Sequence, residues 1–147
     1  MVSIQMPVLA QDAGYEAYPQ VFPEAVERLQ LTVAYLKAKG YRRIAIVSHS
    51  DGSRMTRAYM AENPTDVRAW VAISLTRGDT FDGVKAPVLD LYGGNDLPHV
   101  LSAAAKRKAS LNNAASKQMV ILGADHFYTG REEAMVKAVK DFLDGLK

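Results

Sequence analysis

The chain has 147 residues, 48% of them hydrophobic, enough for one substantial core, so a single domain over 1–147 is expected. Lys and Arg total 18 against 16 Asp and Glu, spread along the sequence, a balance that argues against a nucleic-acid partner or an anionic membrane surface. The lack of cysteine removes disulfides, zinc–thiolate sites and a thiol nucleophile.

The opening MVSIQMPVLAQDA has neither the basic start nor the unbroken apolar run of a signal peptide, and no later stretch is apolar enough to span a membrane, so a soluble cytoplasmic protein is expected. Residues 2–9 read as a first strand, followed by the turn-rich loop AQDAGYEAYPQVFP. A helix is predicted from Pro23-Glu24, where proline suits a first turn, with Ala25, Leu29, Val33 and Leu36 on its apolar face and a stop at Gly40. A buried strand at 43–47, a helix at 53–61 and a second buried strand at 67–75 follow. TRGDTFDGVKAP is a loop. A third buried strand at 88–92, a helix at 98–109, a fourth at 118–122 and an amphipathic helix at 131–146 complete the chain. On the helix at 98–109, Lys106-Arg107-Lys108 is the densest basic run and reads as a solvated face.

Strands alternating with helices predict an α/β three-layer sandwich around a mainly parallel sheet of about five strands. Such sheets bind ligands beyond the carboxyl ends of their strands, which singles out residues 48–52, 75–78, 93–96 and 123–126.

In VSHSDGS, Ser50 sits between a strand and a helix, the setting of a nucleophile elbow, with small residues at Ser48 and Gly52 to permit a tight turn. The helix start beside it turns the Asp51 N–H toward a developing oxyanion. A serine needs a base and an orienting acid, and APVLDLYGGNDLPHV presents Asp96 while MVILGADHFYTG presents His126. Three turns, SHSDG, YGGND before LPH, and GADHF, carry Ser, then Asp, then His at successive strand ends, and on them the whole chain resembles the α/β-hydrolases. The resemblance implies Ser50 as nucleophile, His126 as general base and acid, and Asp96 as the carboxylate behind the imidazole. Other readings stand beside these: Asp96 or Asn95 closes a turn, Asp125 serves a turn or the surface, Asp90 is a buried polar partner, His49 packs or hydrogen-bonds near the site, and His99 lies on or caps a helix.

The resemblance is incomplete. The family has about eight strands, with the third lying between the fourth and fifth; here residues 2–9 resemble the fourth, 43–47 resemble the fifth, and the first three are missing. The loop after the third strand, which carries the second oxyanion donor, goes with them. Either strand 2–9 moves beside strand 43–47, bringing the following loop with Ala10 and Gln11 to Ser50 as that donor, or a second copy supplies a strand. A homodimer is therefore expected. No lid-sized insertion separates Leu75 from Val88, so the site should be open, with residues 76–79 and Phe81 as candidate lining and Arg54 reaching either an acidic substrate group or a surface carboxylate. The reading is a serine carboxylesterase acting on small, short-acyl esters through an acyl-enzyme, with no metal or organic cofactor. The alternative is a non-catalytic binding or interaction module of the same fold.

Overall fold

Four strands lie parallel and in chain order in the computed structural model, which describes residues 1–10 and 12–146: β1 (Ile44–His49), β2 (Val67–Ile73), β3 (Val88–Gly93) and β4 (Lys117–Ile121). The register pairs Val47 with Val71, Val71 with Leu89, and Leu91 with Met119. Side chains alternate across the sheet, so each strand feeds two cores. On one face Trp70 and Ala72 of β2 and Val88 of β3 pack with Leu29 and Val33 of α1 (Phe22–Ala38) and with Tyr59 and Met60 of α2 (Asp51–Ala61). On the other, Ala69, Val71, Ile73, Leu89 and Leu91 pack with Ala138 and Phe142 of α5 (Glu132–Asp144). Both faces of the central strands are covered, which is why β2 and β3 read as almost unbroken apolar runs.

The α1 start carries Pro23 in its first turn, where a missing N–H costs nothing, and the chain leaves the helix at Gly40 with φ 88°. The stretch before it is not all loop: Tyr15–Val21 winds as a 3₁₀ helix. The helix expected at 98–109 divides at Ala103 into α3 (Pro98–Ser102) and α4 (Ala104–Ala109). Within α4 the basic run is a solvated face at Lys106 and Lys108 but not at Arg107. Arg107 is fully buried; its Nε donates to both carboxylate oxygens of Asp90 at 3.0 Å and its Nη1 to the Val100 carbonyl at 2.8 Å. A carboxylate buried on β3 needs a cationic partner, and Arg107 is the member of the run that the helix turns inward.

Residues 2–9 do not form the expected strand, so the sheet has four strands rather than about five. Ile4 and Met6 pack on the α1 side of the core, as alternating residues of a strand would, and Arg28 donates to the Gln5 carbonyl. No ladder forms, because a groove of about 660 Å³ separates this segment from β1, and Pro7 has no N–H to contribute to one. Among the described residues nothing pairs with the outer edge of β1, and Val47 there is 50% exposed. Among the described residues, no helix is long and apolar enough to cross a membrane.

Candidate active site

β1 ends at His49 and α2 begins at Asp51, leaving Ser50 as the single residue of the joint. Its backbone has φ 57° and ψ −129°, a conformation that costs a non-glycine residue about 1–3 kcal/mol and persists only when the surroundings enforce it. The Ser50 N–H donates to the Ile73 carbonyl at 2.9 Å and its own carbonyl accepts from Ser53 N–H at 2.9 Å, so both sides of the strained residue are tied down. Ser48 does more than stay small: its hydroxyl accepts from Trp70 Nε1–H at 2.9 Å. Gly52 is not needed for space in this turn, since an added Cβ would meet nothing within 4 Å, its surroundings being the groove beside β1.

Gly93 has the opposite character. A Cβ there would stand 2.4 Å from the Ala124 carbonyl oxygen and 2.8 Å from that of Asp125, so only glycine lets the loop after β4 cross the end of β3. That crossing carries His126 to Asp96. His126 Nδ1–H donates to Asp96 Oδ1 at 2.6 Å, and Ser50 Oγ lies 3.0 Å from His126 Nε2, the ring nitrogen this tautomer leaves free to accept. Asp96 Oδ1 also accepts from Leu97 N–H at 2.7 Å, while Oδ2 accepts from Ser74 Oγ at 2.5 Å and from Gly93 N–H at 3.2 Å. Burial raises the Asp96 pKa, but the hydrogen bonds from Ser74, His126, Leu97 and Gly93 outweigh it and hold the carboxyl below its ordinary value. The three side chains thus line up hydroxyl, imidazole and carboxylate, with an acceptor for the Ser50 proton already in contact.

Of the other expected residues, some adjoin this path and others do not. Asp51 opens α2, where its N–H has no intrahelical acceptor, while its carboxylate accepts from Thr76 Oγ1 at 3.0 Å. Ala10 is exposed and its carbonyl closes a turn with Ala13 N–H; among the described residues no hydrogen bond joins Ala10 to the Ser50 turn, and Gln11 lies outside the described residues. Asp125 closes its own loop, accepting from Phe127 N–H at 2.9 Å and Thr129 N–H at 3.1 Å. Arg54 is engaged, its Nε donating to Asp79 at 3.0 Å. Phe81 is a core residue, 1% exposed and edge-on to Trp70, so it does not line the site. Two participants were not anticipated. Ser74 escaped notice because the strand was expected to run to residue 75, whereas β2 stops at Ile73 and Ser74 turns out of it with φ 51°. Tyr128, buried with its hydroxyl 3.1 Å from Ser74 Oγ and its pKa pushed up to about 12 by that burial, carries no motif of its own. Among the described residues no group of three or more acidic or imidazole side chains is arranged to hold a metal ion.

No protein-family model matches the sequence, and no curated protein matches it. Solved structures do. A predicted CIB-like hydrolase from Thermoplasma acidophilum superposes with a TM-score of 0.71 at 22% identity over 94% of this chain. Est1E from Butyrivibrio proteoclasticus gives 0.66 at 18% identity over 80%, and a dienelactone hydrolase from Anabaena variabilis gives 0.71 at 22% identity over 82%. The fold is that of the α/β-hydrolases. The chain spans 68%, 67% and 59% of those three structures' lengths respectively. Within this α/β-hydrolase fold, Ser50, Asp96 and His126 each follow the carboxyl end of a strand, the rim where open parallel sheets gather their ligands.

Proposed function

We propose that the protein is a serine hydrolase, a carboxylesterase acting on small, short-acyl esters. The observation that carries this reading is the continuous hydrogen-bonded path from Ser50 Oγ through His126 to Asp96, anchored on a backbone strained at Ser50. Ser50 Oγ attacks the ester carbonyl carbon as its proton passes to His126 Nε2, and Asp96 stabilises the resulting imidazolium. The tetrahedral oxyanion accepts a hydrogen bond from the Asp51 N–H at the start of α2. Collapse returns the proton from His126 to the departing alcohol and leaves an acyl-enzyme, which water, deprotonated by the same imidazole, hydrolyses. The connection between β2 and β3, residues 74–87, contains no helix that could form a lid, which favours compact esters over long-chain ones. The names of the three similar structures, two hydrolases and one whose name begins Est, agree with hydrolysis without fixing the ester.

A second reading, a binding module without catalysis, draws on the unpaired β1 edge and on a single oxyanion donor, Asp51 N–H. The homodimer is proposed on the same unpaired edge. A fluorophosphonate probe decides between enzyme and module: covalent labelling that disappears in Ser50→Ala, together with p-nitrophenyl acetate turnover lost in that variant at unchanged circular dichroism, supports the hydrolase. A folded wild-type protein that resists the probe refutes it.

A further inference from the structure

His49 precedes Ser50 on the face of β1 opposite Trp70, where the loop after β4 passes. Its Nε2 lies 2.9 Å from the main-chain carbonyl of His126, a bond across 77 positions of sequence that ties the turn holding the hydroxyl to the loop holding the base. The two imidazole rings are in contact, with centroids 4.8 Å apart and planes inclined by 42°, and the edge of Tyr128 closes the other side at 6.5 Å. Because the acceptor is a carbonyl, His49 must donate from Nε2–H.

We infer that His49 is a positioning residue for the base: the Nε2–H bond to the His126 carbonyl holds the loop that carries the His126 imidazole in place above Ser50. This rests on the hydrolase reading above. The Asp96 bond alone restrains the His126 ring at one nitrogen, leaving the ring free to pivot about that contact, and Ser50 is too weak an anchor because its hydroxyl must leave during the reaction. A second restraint, on the backbone of the same residue, fixes the main chain from which the ring projects and so limits where the imidazole can move. The groups facing His49 are His126, Asp96 and Tyr128, with Phe127 beside them. Desolvation lowers the His49 pKa, opposed by the bond to the His126 carbonyl, with the neighbouring His126 adding a further lowering and Asp96 a raising; the net direction is down, which favours the neutral ring.

The test uses His49→Leu, which removes the donor, and His49→Gln, whose amide N–H reaches a similar position. His49 lies on the edge strand and belongs to neither core cluster, so neither change opens the core. The expected result is a fluorophosphonate inactivation rate of Ser50 lowered roughly 10- to 100-fold in His49→Leu, and a rate within about threefold of wild type in His49→Gln. The same variants are read by proton NMR of the His126 Nδ1–H shared with Asp96, expected to be sharp in wild type and His49→Gln and broadened or shifted upfield in His49→Leu. A wild-type rate in His49→Leu, or a His49→Gln variant as slow as His49→Leu, overturns the inference. If the wild-type protein itself resists the probe, the hydrolase reading fails, and the NMR signal still decides the positioning: an unchanged Nδ1–H resonance in His49→Leu overturns it.

Discussion

Asp96→Asn separates the charge behind His126 from the geometry that charge accompanies. Each carboxylate oxygen accepts two hydrogen bonds: Oδ1 from His126 Nδ1–H and Leu97 N–H, Oδ2 from Ser74 Oγ and Gly93 N–H. An amide must place its NH₂ in one of those positions. At Oδ1 it would face two N–H donors, whereas at Oδ2 it faces only one, since the Ser74 hydroxyl can rotate to accept. The amide oxygen therefore occupies the Oδ1 position and His126 keeps its tautomer. What the variant loses is the negative charge opposite the imidazolium. With charge centres ~4 Å apart and an effective dielectric constant of ~20, that attraction is about 4 kcal/mol, or roughly a thousandfold in rate. Little solvent dilutes it, because the side chain of Asp96 is 0% exposed and that of His126 is 8% exposed. The assay is kcat/KM on p-nitrophenyl acetate alongside the fluorophosphonate inactivation rate, with circular dichroism to confirm the fold. A loss smaller than tenfold would show that the carboxylate's charge does not assist the base and would refute the role given to it.

Arg107→Met strands a buried Asp90 carboxylate and should cost about 3–5 kcal/mol in urea denaturation, while the double change Asp90→Leu/Arg107→Met recovers most of it; equal losses in the two proteins would contradict a pairing role. Because the folded Asp96 pKa is lowered, the folded state binds fewer protons at this group than the unfolded one. Its contribution is therefore complete above the ordinary carboxylate pKa of about 4 and lost as pH falls through the folded value. The urea midpoint of the wild type should drop more steeply below about pH 4 than that of Asp96→Asn, and parallel curves would reject the linkage. Sedimentation at micromolar concentration should show a dimer that dissociates in Val47→Lys, since Val47 lies on the edge strand β1, whose outer side has no partner among the described residues; a monomer at all concentrations rejects the homodimer.

Most of the sheet was legible because β2 and β3 are buried on both faces, so their apolar runs record the environment directly. The turns that bear Ser50, Asp96 and His126 were legible for a related reason: each is short, bounded by a strong strand, and marked by glycine or by a residue type suited to proton transfer. Residues 2–9 misled because apolar composition describes what a segment can pack against and says nothing of whether a neighbouring strand stands within hydrogen-bonding distance; here Ile4 and Met6 satisfy the first condition and the groove denies the second. The Lys106-Arg107-Lys108 run misled in the other direction. Its local pattern is solvated, and only the distant Asp90 on β3 draws Arg107 inside. Tyr128 was invisible for the same cause, since its significance lies in Ser74 at another strand end, while Ser74 itself was hidden inside a strand expected to run two residues further.

The order of strands across the sheet repeats their order along the chain, and the hydroxyl and imidazole that meet above it come from opposite ends of that series. The contact between Ser50 and His126 spans 76 positions, and it closes only once the final strand has docked and its following loop has crossed Gly93. A contact so distant in sequence must meet a large loop-closure cost before it forms. On the proposed hydrolase reading, a chain that lacks β4 and the loop after it lacks the imidazole partner of Ser50, so reactivity toward a fluorophosphonate would report that the last strand is in place.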